Sequence, residues 1–112
     1  MQNELFSSIA GLRPHEAAST FAALGSEQRL AVLRTLVRSG GKGLPVGKVA
    51  ERTGVTGSTL THHLRLLAQA GLVRQTKEGR QILCSIDHDA VRRLSEYLLS
   101  ECCADSVEHD HG

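Results

Sequence analysis

Two short helical patterns separated by a tight turn constrain this chain more than any other feature. In the first, Pro45 opens a segment carrying Val46, Val49 and Ala50, and Gly54 closes it. In the second, from about Gly57 to Ala70, Leu60, Leu64 and Leu67 recur at helical spacing on one face, and Gly71 ends the run. Thr56 or Ser58 stands where a capping residue belongs. Thr59, Thr61, His62 and Arg65 fall outside the apolar stripe. The pattern is helix, tight turn, helix, with a polar face on the second helix.

The flanking segments complete a frame. An Ala-rich stretch from Arg13 to Leu24, with Pro14 in its first turn, predicts a helix ending near Gly25. Ser26 caps a second helix with Leu30, Leu33, Leu36 and Val37 as its stripe, stopped at Ser39-Gly40-Gly41. After the helix pair, Leu72 to Thr76 and Gln81 to Ile86 read as strands of a hairpin whose tip is Lys77-Glu78-Gly79-Arg80. Asp87 then caps a last helix with Val91, Leu94 and Leu98 on one face, running to about Cys103. The expected architecture is mainly α with a small β-hairpin wing: one domain over residues 1–103 and a polar, disordered tail over 104–112.

Composition limits what this frame can do. A chain of 112 residues has room for one modest core. With aromatics at 3%, that core is aliphatic and gains from a second subunit. The N-terminal stretch lacks a basic segment followed by an apolar run, and nothing approaches the roughly 20 apolar residues of a membrane span, so a cytoplasmic location is expected. Three cysteines, two of them adjacent, fit reduced thiols better than a disulfide framework.

The net charge of +1 hides a division along the chain. Between Ser26 and Arg80 ten Lys and Arg face three acids; from Gln81 onward two arginines face seven acids. A basic middle is what a polyanion partner requires, although surface charge also clusters without function. In a helix-turn-helix the second helix enters the major groove, leading with small hydrogen-bonding side chains and hiding an apolar back. The segment Gly57-Ser58-Thr59-Leu60-Thr61-His62-His63 leads with that surface; Gly57, Ser58, Thr59, Thr61, His62 and Arg65 are its candidate contacts, and Lys77 and Arg80 at the wing tip reach a neighbouring groove or the backbone. An ordinary amphipathic helix capped by Ser and Thr would share the local pattern. The order of elements favours binding to double-stranded DNA.

The segments LGSEQRLAVLRTLV, VAERTGVTGSTLTHHLRLLAQAGLV and RQTKEGRQILCSID resemble the ArsR/SmtB family of metal-sensing bacterial repressors over about Phe21 to Cys103. The resemblance implies a winged-helix homodimer held through its first and last helices. It also implies a near-palindromic operator that is released when an inducer binds.

Inducer positions differ within that family. The third helix, around Lys48-Val49-Ala50-Glu51, has no thiol, so a Cys-x-Cys site there is absent. Asp87-His88-Asp89 is out of register for a zinc site on the last helix, and residues 96–101 contain no histidine. Cys102-Cys103 resembles the ending of a subset of arsenic-responsive members, and thiolates suit soft trivalent arsenic. The alternative is that the pair packs as small apolar residues; Cys102 continues the Val91, Leu94, Leu98 stripe towards a dimer interface. On a regular helix the two sulfurs point apart, so chelation is expected to unwind the last turn. Cys84, alternating with Ile82 and Ile86, reads as a core cysteine, which leaves arsenite, which prefers three thiolates, and methylarsenite, which two satisfy, both open as inducers.

Loose metal binding by Glu108-His109-Asp110-His111 is a weaker reading, and weaker still at His15 and His88. The rivals to arsenic sensing are a thiol redox sensor or another metal-responsive repressor on the same fold, and a winged-helix protein-interaction adaptor. An enzyme is not expected, because no nucleophile-base set or phosphate-binding loop is present.

Overall fold

The structure, a computed structural model, describes residues 12–106. The expected tail beyond 106, with His109 and His111, lies outside the described residues. The elements run α1 (Pro14–Ala23), α2 (Glu27–Ser39), β1 (Leu44–Pro45), α3 (Val46–Thr53), α4 (Gly57–Gln69), β2 (Val73–Glu78), β3 (Gln81–Ile86) and α5 (His88–Leu99).

Local chemistry sets most boundaries. Pro14 fills the first position of α1, and the Glu16 carboxylate accepts from the Arg13 N–H at 2.9 Å. The Ser26 hydroxyl accepts from the Arg29 N–H at 3.2 Å and opens α2. Gly54, at φ 77°, closes α3 in the left-handed conformation and returns its N–H to the Ala50 carbonyl at 2.8 Å. Asp87 caps α5 by accepting from the Ala90 N–H at 3.0 Å, and its second oxygen accepts from Arg74 on β2. The wing and the last helix are thereby joined.

The core is aliphatic, as composition requires. Val32, Leu33 and Leu36 of α2, Val49 of α3, and Leu60, Leu64 and Leu67 of α4 pack with Leu72, Val73, Cys84 and Ile86. Each fully buried leucine contributes roughly 1.5–3 kcal/mol from area removed from water. Val55 is buried inside the turn itself, so the α3–α4 corner is a packed joint. Thr53 secures it, donating its hydroxyl to the Val49 carbonyl at 2.7 Å and accepting from the Val55 N–H at 3.1 Å.

Four boundaries or faces differ from the sequence reading. The second-helix stripe is Val32, Leu33 and Leu36, with Leu30 and Val37 each 41% exposed, because the face towards α3, α4 and β3 is rotated from the leucine spacing. Leu44–Pro45 form a third strand antiparallel to β3, pairing Leu44 with Cys84 and Pro45 with Leu83. The Thr56 side chain makes no capping hydrogen bond, and α4 begins at Gly57 with φ 61°. The last helix stops at Leu99, and the backbone continues to Ser106 as turns closed by i→i−3 bonds, such as Cys102 N–H to Leu99 C=O at 2.9 Å. Leu98 and Leu99 are 63% and 65% exposed, so the end of α5 is held by little packing among the described residues.

Gly43 makes the added strand possible. It lies at φ 87°, and a Cβ there would stand 2.8 Å from the Cys84 carbonyl oxygen. Gly43→Ala is expected to destabilise the fold by more than about 1 kcal/mol, read as a lowered urea midpoint with unchanged slope. An unchanged midpoint would mean that β1 can shift without loss.

Candidate nucleic-acid interface and thiol pair

The polar face of α4 is presented as the sequence predicts. Gly57, Ser58, Thr59, Thr61, His62 and Arg65 are all exposed, while Leu60, Leu64 and Leu67 anchor the opposite face in the core. Thr61 donates its hydroxyl to the Gly57 carbonyl at 3.3 Å, which preorganises the first turn. With no side-chain cap at Thr56, the leading amides of α4 remain available to a phosphate, whose charge the helix dipole favours there.

The wing is a six-residue register from Val73↔Ile86 to Glu78↔Gln81, turned at Gly79 with φ 64°. Lys77 and Arg80 are exposed at or beside its tip. Between wing and α4 runs a groove lined by Thr61, Leu64, Gln75, Arg80 and Ile82, with Pro45 and Val46 closing its end. Of the candidates, Thr61 on α4 and Arg80 on the wing thus line one groove.

The segment expected to lead into DNA is corrected at its last residue, which lies on the apolar face of α4. His63 is buried; its Nδ1 accepts from Arg29 Nε at 3.3 Å, and its Nε2 lies 3.1 Å from Gln28 Oε1. Burial first, then the charges of Arg29 and His62, holds its ring below the usual imidazole range. Its position three residues after Leu60 and four before Leu67 puts it on the stripe, the one signal available in the sequence. Nothing local identifies Gln28 and Arg29 as its partners.

The cysteines divide into two kinds. Cys84 is fully buried on β3, as expected of a core cysteine, and burial pushes its thiol up despite the amide of Gln75 at 4.0 Å. Cys102 and Cys103 are exposed beyond the end of α5, with their sulfurs 3.5 Å apart. Two expectations are thereby corrected. Cys102 does not continue the α5 stripe, because the helix has ended, and chelation needs no unwinding, because Cys103 already takes a left-handed conformation at φ 64°. The hydrogen bond and charge of Cys102 hold the Cys103 thiol above its usual value, so the pair resists carrying two negative charges.

Among the described residues, no group of three or more His, Cys, Asp or Glu is arranged to hold a metal ion. Asp87 is committed to its cap and to Arg74. No helix among the described residues is long and apolar enough to cross a membrane.

Comparison with known proteins bears on the fold and the family. Residues 24–76, spanning α2 through most of β2, match the family described as a helix-turn-helix domain. The chain is 39% identical over 72 residues to the uncharacterized HTH-type transcriptional regulator YceK of Bacillus subtilis, covering 64% of this chain and 71% of the relative. It is 33% identical over 88 residues to the cadmium resistance transcriptional regulatory protein CadC homolog of Staphylococcus aureus, covering 79% and 71%. Among solved structures, an ArsR-like transcriptional regulator from Rhodococcus sp. RHA1 superposes with a TM-score of 0.67 at 29% identity, over 81% of this chain and 82% of that one. The homodimeric winged helix-turn-helix DNA-binding domain Mb0332 of Mycobacterium bovis, described as a possible ArsR-family regulator, gives 0.62 at 27%, over 88% and 86%. These relatives are regulators, not enzymes. With its apolar-backed recognition helix and basic wing, the chain belongs to the ArsR/SmtB family of winged helix-turn-helix, DNA-binding transcriptional regulators.

Proposed function

We propose that this regulator is a homodimeric repressor of a near-palindromic operator, released when trivalent arsenic binds Cys102 and Cys103. The observation that carries the reading is the exposed pair of thiols with sulfurs 3.5 Å apart at the end of α5. Soft thiolates favour a thiophilic inducer, and the cadmium-resistance name of one relative is in keeping with that class. Binding proceeds by ligand exchange without redox chemistry. Each thiol proton leaves with an arsenic-bound hydroxide as water, and one As–S bond replaces one As–O bond. Two exchanges satisfy methylarsenite, CH3As(OH)2. Arsenite would need a third donor, and Cys84 is buried in the core. Methylarsenite is therefore the preferred inducer.

Dimerisation through α1 and α5 is supported by their mutual packing and by the apolar side chains they leave exposed, Phe21, Leu98 and Leu99. The homodimeric neighbour supports the same arrangement. Leu98 and Leu99 stand within four residues of the thiol pair, so a bound arsenical would add bulk at the edge of the interface that spaces two recognition helices and disturb its packing. A coupling of about 1–3 kcal/mol corresponds to roughly 5- to 150-fold weaker operator binding.

Fluorescence anisotropy on a duplex from the protein's own promoter, under reducing conditions and fixed salt, tests the reading with separate additions of arsenite, methylarsenite and zinc. Release by methylarsenite at lower concentration than arsenite, and none by zinc, is the expected result. Tight binding that no arsenical disturbs would remove the inducer assignment and leave the regulator. The same assay tests the wing. Lys77→Ala and Arg80→Ala are each expected to flatten the slope of log affinity against log salt by about 0.9 per lost phosphate contact. An unchanged slope would put the wing tip away from the duplex.

A further inference from the structure

His63 interrupts the leucine face of the recognition helix and uses both ring nitrogens there. Because Arg29 Nε can only donate, Nδ1 is the acceptor, and the ring proton sits on Nε2, facing Gln28 Oε1. The same guanidinium donates through its NH1 group to the Ala23 carbonyl at 2.8 Å, at the last residue of α1. One chain of hydrogen bonds thus runs from the end of α1, through Arg29 and Gln28 at the start of α2, to the middle of α4.

We propose that His63 is a positioning residue for DNA binding: through Arg29 and Gln28 it fixes the roll of the recognition helix against the α1–α2 corner. The neighbouring leucine contacts are non-directional and tolerate small rotations of α4 about its axis. Two hydrogen bonds at angles set by a planar ring do not. The exposed residues beside His63, Thr61, His62 and Arg65, are those whose direction towards a duplex such a rotation would change. Because Arg29 also holds the end of α1, the clamp ties the attitude of the recognition helix to the first helix of the subunit.

The clamp has a defined response to acid. The ring is faced by Arg29 and the neutral Gln28 from α2 and by His62, 5.9 Å away between ring centroids, from its own helix; α1 contributes the Ala23 carbonyl through Arg29. Protonation would put an N–H on Nδ1 against the Arg29 N–H, donor against donor and cation against cation. The surroundings hold the ring below its ordinary value of about 6.5. The clamp is therefore complete above about pH 6.5, and its contribution falls as acid carries the pH from there down through the folded-state value.

The test uses the full chain on the promoter duplex, with anisotropy titrations between about pH 5 and pH 8 at fixed salt. A His62→Gln background removes the exposed neighbouring imidazole, so that changes at position 63 are read without it. In that background His63→Asn keeps an oxygen acceptor near the Nδ1 position but cannot titrate, while His63→Ala removes the contact. His63→Asn, which keeps the Arg29 contact but loses the one to Gln28, is expected to bind more tightly than His63→Ala near neutral pH and to lose part of the acid-dependent weakening, and His63→Ala to bind about tenfold more weakly than the parent at neutral pH while retaining its helical circular dichroism. Should His63→Ala fail to fold, the comparison of parent with His63→Asn decides alone. An identical acid limb in both, or an Asn variant as weak at neutral pH as a folded Ala variant, would overturn the proposal.

Discussion

Cys102→Ser and Cys103→Ser are each expected to leave operator affinity unchanged and to abolish release by methylarsenite. Both sulfurs are exposed beyond the end of α5 and outside the α4 and wing surface, so removing either withdraws no packing and no DNA contact. One remaining thiol gives a single As–S bond, without the ring closure that makes the second exchange effectively intramolecular. The expected difference is the whole of the inducer response, read as anisotropy of the promoter duplex at saturating arsenical. Unimpaired release in both variants would sink the assignment of the thiol pair. Release retained in one alone would show that a single sulfur suffices.

Leu36→Ala is expected to cost about 2–5 kcal/mol of folding free energy, read as a fall in the urea midpoint. Leu36 is fully buried on α2, and that helix packs on α3, α4 and β3 together. Its side chain belongs to the one core cluster shared by these elements, and an alanine leaves a void there. Small domains hold only about 5–15 kcal/mol in total, so this one change removes a large share. Leu30, on the same helix and 41% exposed, makes the contrast: its truncation to alanine is expected to cost far less in the protomer. A Leu36 variant as stable as that of Leu30 would mean that the α2 face does not organise the core.

Much of this protein follows from local order in the chain. Gly54 after a short amphipathic run, and a second run with leucines at 60, 64 and 67, specify two helices and the corner between them, because left-handed closure and helical periodicity are local properties. The exposed recognition face was readable for the same reason: burying those leucines necessarily turns Thr59, Thr61, His62 and Arg65 outward. The hairpin around Gly79 and the caps at Ser26 and Asp87 were equally local.

Tertiary structure decided the rest, since it depends on what comes to lie opposite. Leu44–Pro45 is a strand only because β3 offers it an edge; two residues ending in proline carry no period of their own. The exposure of Leu30 depends on where α3, α4 and β3 press against α2, and helical spacing alone cannot supply that. The sequence reading runs α5 on to Cys103 because Leu98 and Cys102 keep helical spacing, yet both are exposed among the described residues and the backbone turns away, bringing two sulfurs together that a helix would separate. His63 lies on a periodic stripe, but its acceptor role needs Arg29, 34 residues earlier in the chain. Periodicity assigns a residue to a face, and only the packed fold supplies the partner that gives a polar group on that face its task.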